Sequence, residues 1–141
     1  LPGGCLMDPK LLAVVVGVVS GAIGYWFATF SIQPILRFRN YRNQVLMDFI
    51  YYAQVVNAEG LNDEMKALYR ERVLANRKSS AQLTAAILEL PWWYSQWLRV
   101  KGQDPTGAAA KLIGYSNTTD WDAAHDVEEY IRRNLGLPEQ T

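Results

Sequence analysis

The chain has 141 residues, 50% of them hydrophobic and 20% charged, and its 14 basic side chains balance 14 acidic ones. That composition argues against extended disorder, and a net charge of zero argues against a dedicated nucleic-acid binder, which carries a basic excess. A single cysteine, Cys5, leaves no intramolecular disulfide, and the length has room for one domain plus an anchor. The charges are uneven: Arg37 to Lys101 is modestly basic, and the chain from Asp104 on is acidic, with Asp120, Asp122, Asp126, Glu128 and Glu129 close together.

Residues 1–10 make a short N-terminal stretch. Met7-Asp8-Pro9-Lys10-Leu11 reads like a natural start, so residues 1–6 are as readily translated from upstream, or left by cloning, as native. Cys5 precedes the apolar segment and is therefore no lipoprotein-type acylation site.

Residues 11–33 read as a transmembrane helix. No residue from Leu11 to Leu36 is charged, and Leu11 to Phe30 alone is about 20 residues, or about 30 Å of helix, the thickness of the hydrocarbon core. A buried core helix is the competing reading. It is disfavoured because Leu11, Leu12, Val14, Val15, Val16, Val18, Val19 and Ile23 leave no polar stripe. A cleaved signal peptide is disfavoured because the run ends in Tyr25, Trp26, Phe27 and Phe30, an aromatic belt and not a small-residue cleavage site.

The flanking charges orient the anchor. Lys10 on one side is opposed by Asp8, whereas Arg37, Arg39 and Arg42 on the other precede the first acid, Asp48. The positive-inside rule puts the N-terminus outside and residues 34–141 in the cytoplasm. Ala13, Gly17, Ser20, Gly21, Gly24 and Ala28 recur at spacings of three and four and form a small-residue face on which another helix can approach closely. Its expected partner is another membrane-protein subunit or a second copy of the chain.

The rest is expected to be all-α, a cytoplasmic bundle of four or five helices. Pro34 either kinks the anchor or opens a new helix at its first turn. From Ile35 to about Asn57, Phe38, Tyr41, Val45, Phe49, Tyr52 and Val56 recur at helical spacing. Ala58-Glu59-Gly60 reads as a break, and Asn62 as the N-cap of one long helix reaching about Leu90, or of two shorter helices divided by a bend at Ser79-Ser80. Met65, Leu68, Ala75, Leu83, Ala86 and Leu90 supply its apolar side, and Arg70-Glu71-Arg72 and Arg77-Lys78 read as a solvated face, or as contacts to anionic headgroups beside Arg37, Arg39 and Arg42.

Pro91 opens a short helix to Lys101, closed by Gly102, that carries Trp92, Trp93, Tyr94, Trp97 and Leu98 beside Arg99 and Lys101. Most of these rings are expected in the core. The alternative is the headgroup region, for which Trp26, Trp92, Trp93 and Trp97, with the three arginines, are the candidates. Asp104-Pro105 caps the next helix, through Ala108, Ala109, Ala110, Leu112 and Ile113. The last runs from Asp120 to Asn134 after Thr118 or Thr119, stopped by Gly136 and Pro138.

The search for chemistry is short. His125 has Asp122 and Glu129 on one helical face, which reads as a solvated acidic surface and not a metal site. Cys5 and His125 fall on opposite sides of the membrane in this topology. No phosphate loop, dinucleotide fingerprint or glycine-framed serine is present. The expectation is a non-catalytic protein without cofactor or metal. It would serve as an accessory or assembly subunit of an inner-membrane complex, or alternatively as a self-associating sensor that binds a ligand or lipid through its helices.

Leu90-Pro91-Trp92, Leu98-Arg99-Val100-Lys101-Gly102 and the run from Ala108-Ala109 through Leu112-Ile113-Gly114 to Ser116-Asn117, with an anchor exiting through Gln33-Pro34-Ile35, resemble a group of short bacterial single-pass proteins. Those have one N-terminal membrane helix and a cytoplasmic helical region. The resemblance implies a bacterial inner-membrane setting and brings no catalytic residues.

Overall fold

A computed structural model describes residues 8–55, 62–118 and 120–139. It is all-helical, and no strand occurs among the described residues. The helices are α1 (Pro9–Tyr51), α2 (Asp63–Leu88), α3 (Trp92–Val100), α4 (Pro105–Asn117) and α5 (Trp121–Leu135). Cys5, Met7, Val56 and the expected break at Ala58-Glu59-Gly60 lie outside the described residues.

Local chemistry sets most of the ends. Asp8 caps α1 by accepting from the Lys10 N–H, with Pro9 in the first turn. Asn62 accepts from Met65 N–H at 2.8 Å, and Asp104 from Gly107 N–H at 3.0 Å with Pro105 next. Asp120 caps α5 by accepting from the Ala123 N–H, and Thr119 lies outside the described residues. Gly136 ends α5 with φ of 66°, a left-handed conformation that favours glycine. Gly107 is needed for space, since a Cβ there would meet the Asp104 carboxylate and the Tyr130 hydroxyl.

Pro34 falls in the first turn of the helical stretch Gln33–Tyr51, one of the two places expected for it, but no gap separates that stretch from the apolar segment. Helix α1 runs on without a break, and five residues just before the proline, Ala28–Ile32, form a wide π turn in which Gln33 N–H reaches back to Ala28 O. Proline has no N–H to donate, and its ring crowds the carbonyl four residues earlier. The wider turn absorbs that crowding, so the axis continues into the second half of α1.

That second half carries the rest of the chain. Arg37 pairs with Glu89 and Asp48 with Ser79, so α2 runs back along α1 towards the apolar segment. Ser80 donates to Ala109 O and Arg72 to Tyr115 O, so α4 runs away again. Tyr115 meets Glu128, and Asp104 N–H meets Asn134, so α5 returns. Four helix segments thus alternate in direction around one apolar cluster that includes Phe38, Val45, Phe49, Leu83, Leu112 and Ile131. Phe38, Val45 and Phe49 are buried as their spacing implies, while Tyr41 and Tyr52 are half-buried at the edge.

Two readings of α2 are corrected. It does not bend at Ser79-Ser80: both hydroxyls turn inward and donate across to Asp48 and to Ala109 O. Side chains that satisfy a partner helix need no break in their own. Arg72 is not on a solvated face either, being 0% exposed. Its guanidinium lies 4.5 Å from the Tyr115 ring centroid and donates to Tyr115 O at 3.1 Å. Its Nε and Nη1 meet no partner, and among the described residues no carboxylate pairs with it. Arg70, Glu71, Arg77 and Lys78 do face solvent.

Two predictions follow from this interior. A buried cation without a carboxylate costs more in lost hydration than its contacts return. Arg72→Met keeps the volume and leaves Tyr115 O bonded to Thr118 N–H. It is expected to raise the unfolding free energy measured in urea by about 1–4 kcal/mol. Arg72→Ala opens a cavity and is expected to lower it by about 2–5 kcal/mol. A Met variant weaker than the parent in a urea titration followed by circular dichroism would contradict this account.

Burial, and then the Glu128 carboxylate, push the Tyr115 phenol above its ordinary 10.0, with Arg72 pulling the other way. The unfolded chain therefore ionises first as pH rises. The stability held by the neutral phenol is complete below pH 10.0 and drains away through the raised folded value. Tyr115→Phe is expected to flatten that alkaline fall in melting temperature.

Candidate membrane and partner interface

The apolar window of α1 is 0% buried by the rest of the chain, and the helix is long and apolar enough to cross a membrane. At 100° per residue, Ala13, Gly17, Ser20, Gly21, Gly24 and Ala28 fall within an arc of about 100°. All but the half-buried Ala28 are exposed, and open space surrounds the positions where Gly17, Gly21 and Gly24 lack a Cβ. Trp26 is exposed and stacks on Phe30 one turn later, with ring centroids 5.6 Å apart.

The arginines after the anchor have different fates. Arg37 forms an exposed ion pair with Glu89, and Arg39 is open to solvent. Arg42 is half-buried, and its guanidinium is held below the ordinary value, chiefly by lost hydration and then by Arg39, with Tyr94 opposing.

Helix α3 sits at the end of the helices nearest the apolar segment. Tyr94 packs edge-on against Phe38 of α1 at 6.3 Å between centroids. Ser95, Leu98 and Arg99 line a shared crevice with Leu90 and Pro105. The inner face is therefore Tyr94, Ser95 and the buried Leu98. The opposite face holds Trp92, Trp93, Trp97 and Val100, exposed at 78%, 43%, 46% and 86%. The expectation that most of these rings fill the core holds for Tyr94 and not for the three tryptophans. A helix of nine residues at the end of others has a neighbour on one side only.

The structure thus brings Arg37, Arg39 and Arg42 to the same end as Trp92, Trp93 and Trp97, while the small-residue face stands apart along α1. Arg77 and Lys78 lie 12 and 11 residues before Glu89 on α2. At 1.5 Å per residue, that is roughly 17 Å further from the apolar segment. They do not join the cluster.

His125 is exposed. A cleft of about 210 Å³ beside it is lined by Glu128, Glu129, Arg132, Arg133 and Glu139. Two of its three carboxylates are committed to arginines one turn on: Glu128 to Arg132 at 2.8 Å, buried, and Glu129 to Arg133 at 3.1 Å, exposed. No cluster of three metal-ligating side chains occurs among the described residues.

Sequence reasoning overlooked the Glu128–Arg132 pair, although its four-residue spacing was there to see. It also overlooked Asp48. This carboxylate is 9% exposed and accepts from Ser79 and Gln44, each at 3.0 Å. It lies in a groove of about 480 Å³ between α1 and α2, shared with Asn40, Lys78 and Gln82. An acid at helical spacing from the apolar stripe was the available signal. No protein-family model, curated protein or solved structure matches the chain.

Tyr94 is the main aromatic tie between α3 and α1. Tyr94→Ala is expected to speed amide exchange across residues 92–100 while the α4 amides stay protected. Unchanged exchange in α3 would assign its docking to Leu98 alone.

Proposed function

We propose that the chain is a single-pass protein of the bacterial inner membrane, with its N-terminus outside and its helical bundle in the cytoplasm. Its role is that of a non-catalytic accessory or assembly subunit of a membrane-protein complex. One observation carries this reading: the whole apolar window of α1 is left uncovered by the chain itself. An uncovered apolar segment on every side of a helix has lipid and other membrane helices as its natural surroundings. Arg37, Arg39 and Arg42 after the segment, against Lys10 and Asp8 before it, support the orientation. The open small-residue arc supports a helix partner, because in lipid close packing replaces the hydrophobic effect as the driving force.

Purification in mild detergent, read by mass spectrometry, is expected to recover partner subunits in fixed proportion. Gly17→Ile with Gly21→Ile is expected to lose them without changing membrane insertion. Recovery of the parent as a lone monomer would sink the subunit role. A second reading, a self-associating sensor, is favoured by the Asp48 groove, whose volume suits a small polar ligand. Loss of a homo-oligomer in the double glycine variant, with no foreign subunit in the parent, points to that reading.

A further inference from the structure

We infer that α3 is a second membrane contact: an in-plane helix whose tryptophan face lies in the anionic headgroup region of the leaflet that α1 leaves. This rests on the anchor reading and adds a surface to it.

The level of α3 is set by the chain. The uncharged run from Leu11 to Leu36 is 26 residues. At 1.5 Å per residue it is about 39 Å long, enough to fill the hydrocarbon core and enter the headgroup layer. Phe38 stands two residues beyond it, about 3 Å further along the axis. Tyr94 packs on Phe38, so α3 lies where hydrocarbon gives way to headgroups.

The direction of its faces is set by packing. Tyr94, Ser95 and Leu98 turn towards the core. On the opposite side Trp92, Trp93, Trp97 and Val100, with the polar Gln96 among them, form a mainly apolar face that no part of the described chain covers. The face stands at the end of the helices nearest the anchor.

The chemistry of the rim selects the occupant. Residues 37–42 and 89–104 hold five cations, Arg37, Arg39, Arg42, Arg99 and Lys101, against two carboxylates. One of those, Glu89, is paired with Arg37, and the other, Asp104, caps α4. Lys101 Nζ sits 3.9 Å from the centroid of the Trp97 ring. Indole rings with an apolar body and a polar N–H, rimmed by cations, match a layer of acyl carbonyls and anionic phosphates. A protein partner would meet the same rings, but the rim and the depth favour lipid.

The test uses the full chain in vesicles of phosphatidylethanolamine and phosphatidylglycerol carrying brominated acyl chains. Trp26→Phe with Trp121→Phe leaves only the α3 tryptophans, and replacing those three and Trp121 by Phe leaves only Trp26. The α3 emission is expected to be quenched most by bromine near the carbonyls and little by bromine near the chain ends. Arg99→Glu with Lys101→Glu, placed in the α3-only background, is expected to reduce that quenching. Unquenched α3 emission beside quenched Trp26 overturns the α3 contact and leaves the anchor standing. If Trp26 is also unquenched, the anchor reading falls, and this inference with it. Shielding of the α3 rings only when another protein co-purifies assigns the face to that protein and overturns the lipid contact.

Discussion

Helix α1 is one continuous element of 43 residues, about 65 Å of helix, against which α2 packs, and α2 in turn holds α4. The first half of α1 is apolar all round. Its second half is apolar along one stripe, Phe38, Val45 and Phe49, and that stripe is one wall of the core. The π turn before Pro34 keeps the two halves in one helix, so the core and the uncovered segment are joined by hydrogen-bonded backbone and not by a loop. The level of α2 and α3 along this helix is settled by pairs such as Arg37 with Glu89 and Phe38 with Tyr94.

Polar groups run through the interior between these helices. Most are satisfied: Asp48 by Ser79 and Gln44, Ser80 by a carbonyl of α4, and Glu128 by Arg132 with Tyr115 beside it. Those that cross between helices, from Ser79, Ser80 and Tyr115, add direction to a core that apolar packing alone leaves adaptable, because each fixes one helix against another at a single register. Arg72 breaks the pattern. Its two orphan donors are each worth about 1–3 kcal/mol of lost hydration, offset only by the ring of Tyr115 and one carbonyl. Small helical domains hold only about 5–15 kcal/mol in total, so this one side chain is a large fraction of the margin.

What was legible in the sequence was whatever a few neighbouring residues decide. Asn62, Asp104-Pro105 and Gly136 mark helix ends through bonds made within one turn, and all three lie where their chemistry implies. The exposed apolar segment of α1 was legible because composition alone makes it so. Arg72, Ser79 and Ser80 were misread because their surroundings come from α1 and α4, not from α2. A long cation at helical spacing reads as surface until another helix covers it. The depth of Trp92, Trp93 and Trp97 was hidden for a related reason: a wide apolar arc says that two sides need cover, not which cover the chain itself supplies.

That last point bears on how the proposed anchor would work. A helical unit tethered by one rod is free to turn about the rod's axis, and so presents its surfaces to every direction in the membrane plane. In the proposed placement α3 adds contact over an area beside the axis, not at a point on it. Rotation about the normal stays free, but tilt does not, because tipping the rod lifts the tryptophans from the headgroups or drives Arg99 and Lys101 into hydrocarbon. The small-residue face of α1 is then held near a fixed inclination. Close helix packing through glycines depends on crossing angle as well as on spacing. In the proposed placement a tilt clamp at α3 would therefore act directly on the geometry with which α1 meets a partner helix, which would make the two surfaces parts of one device.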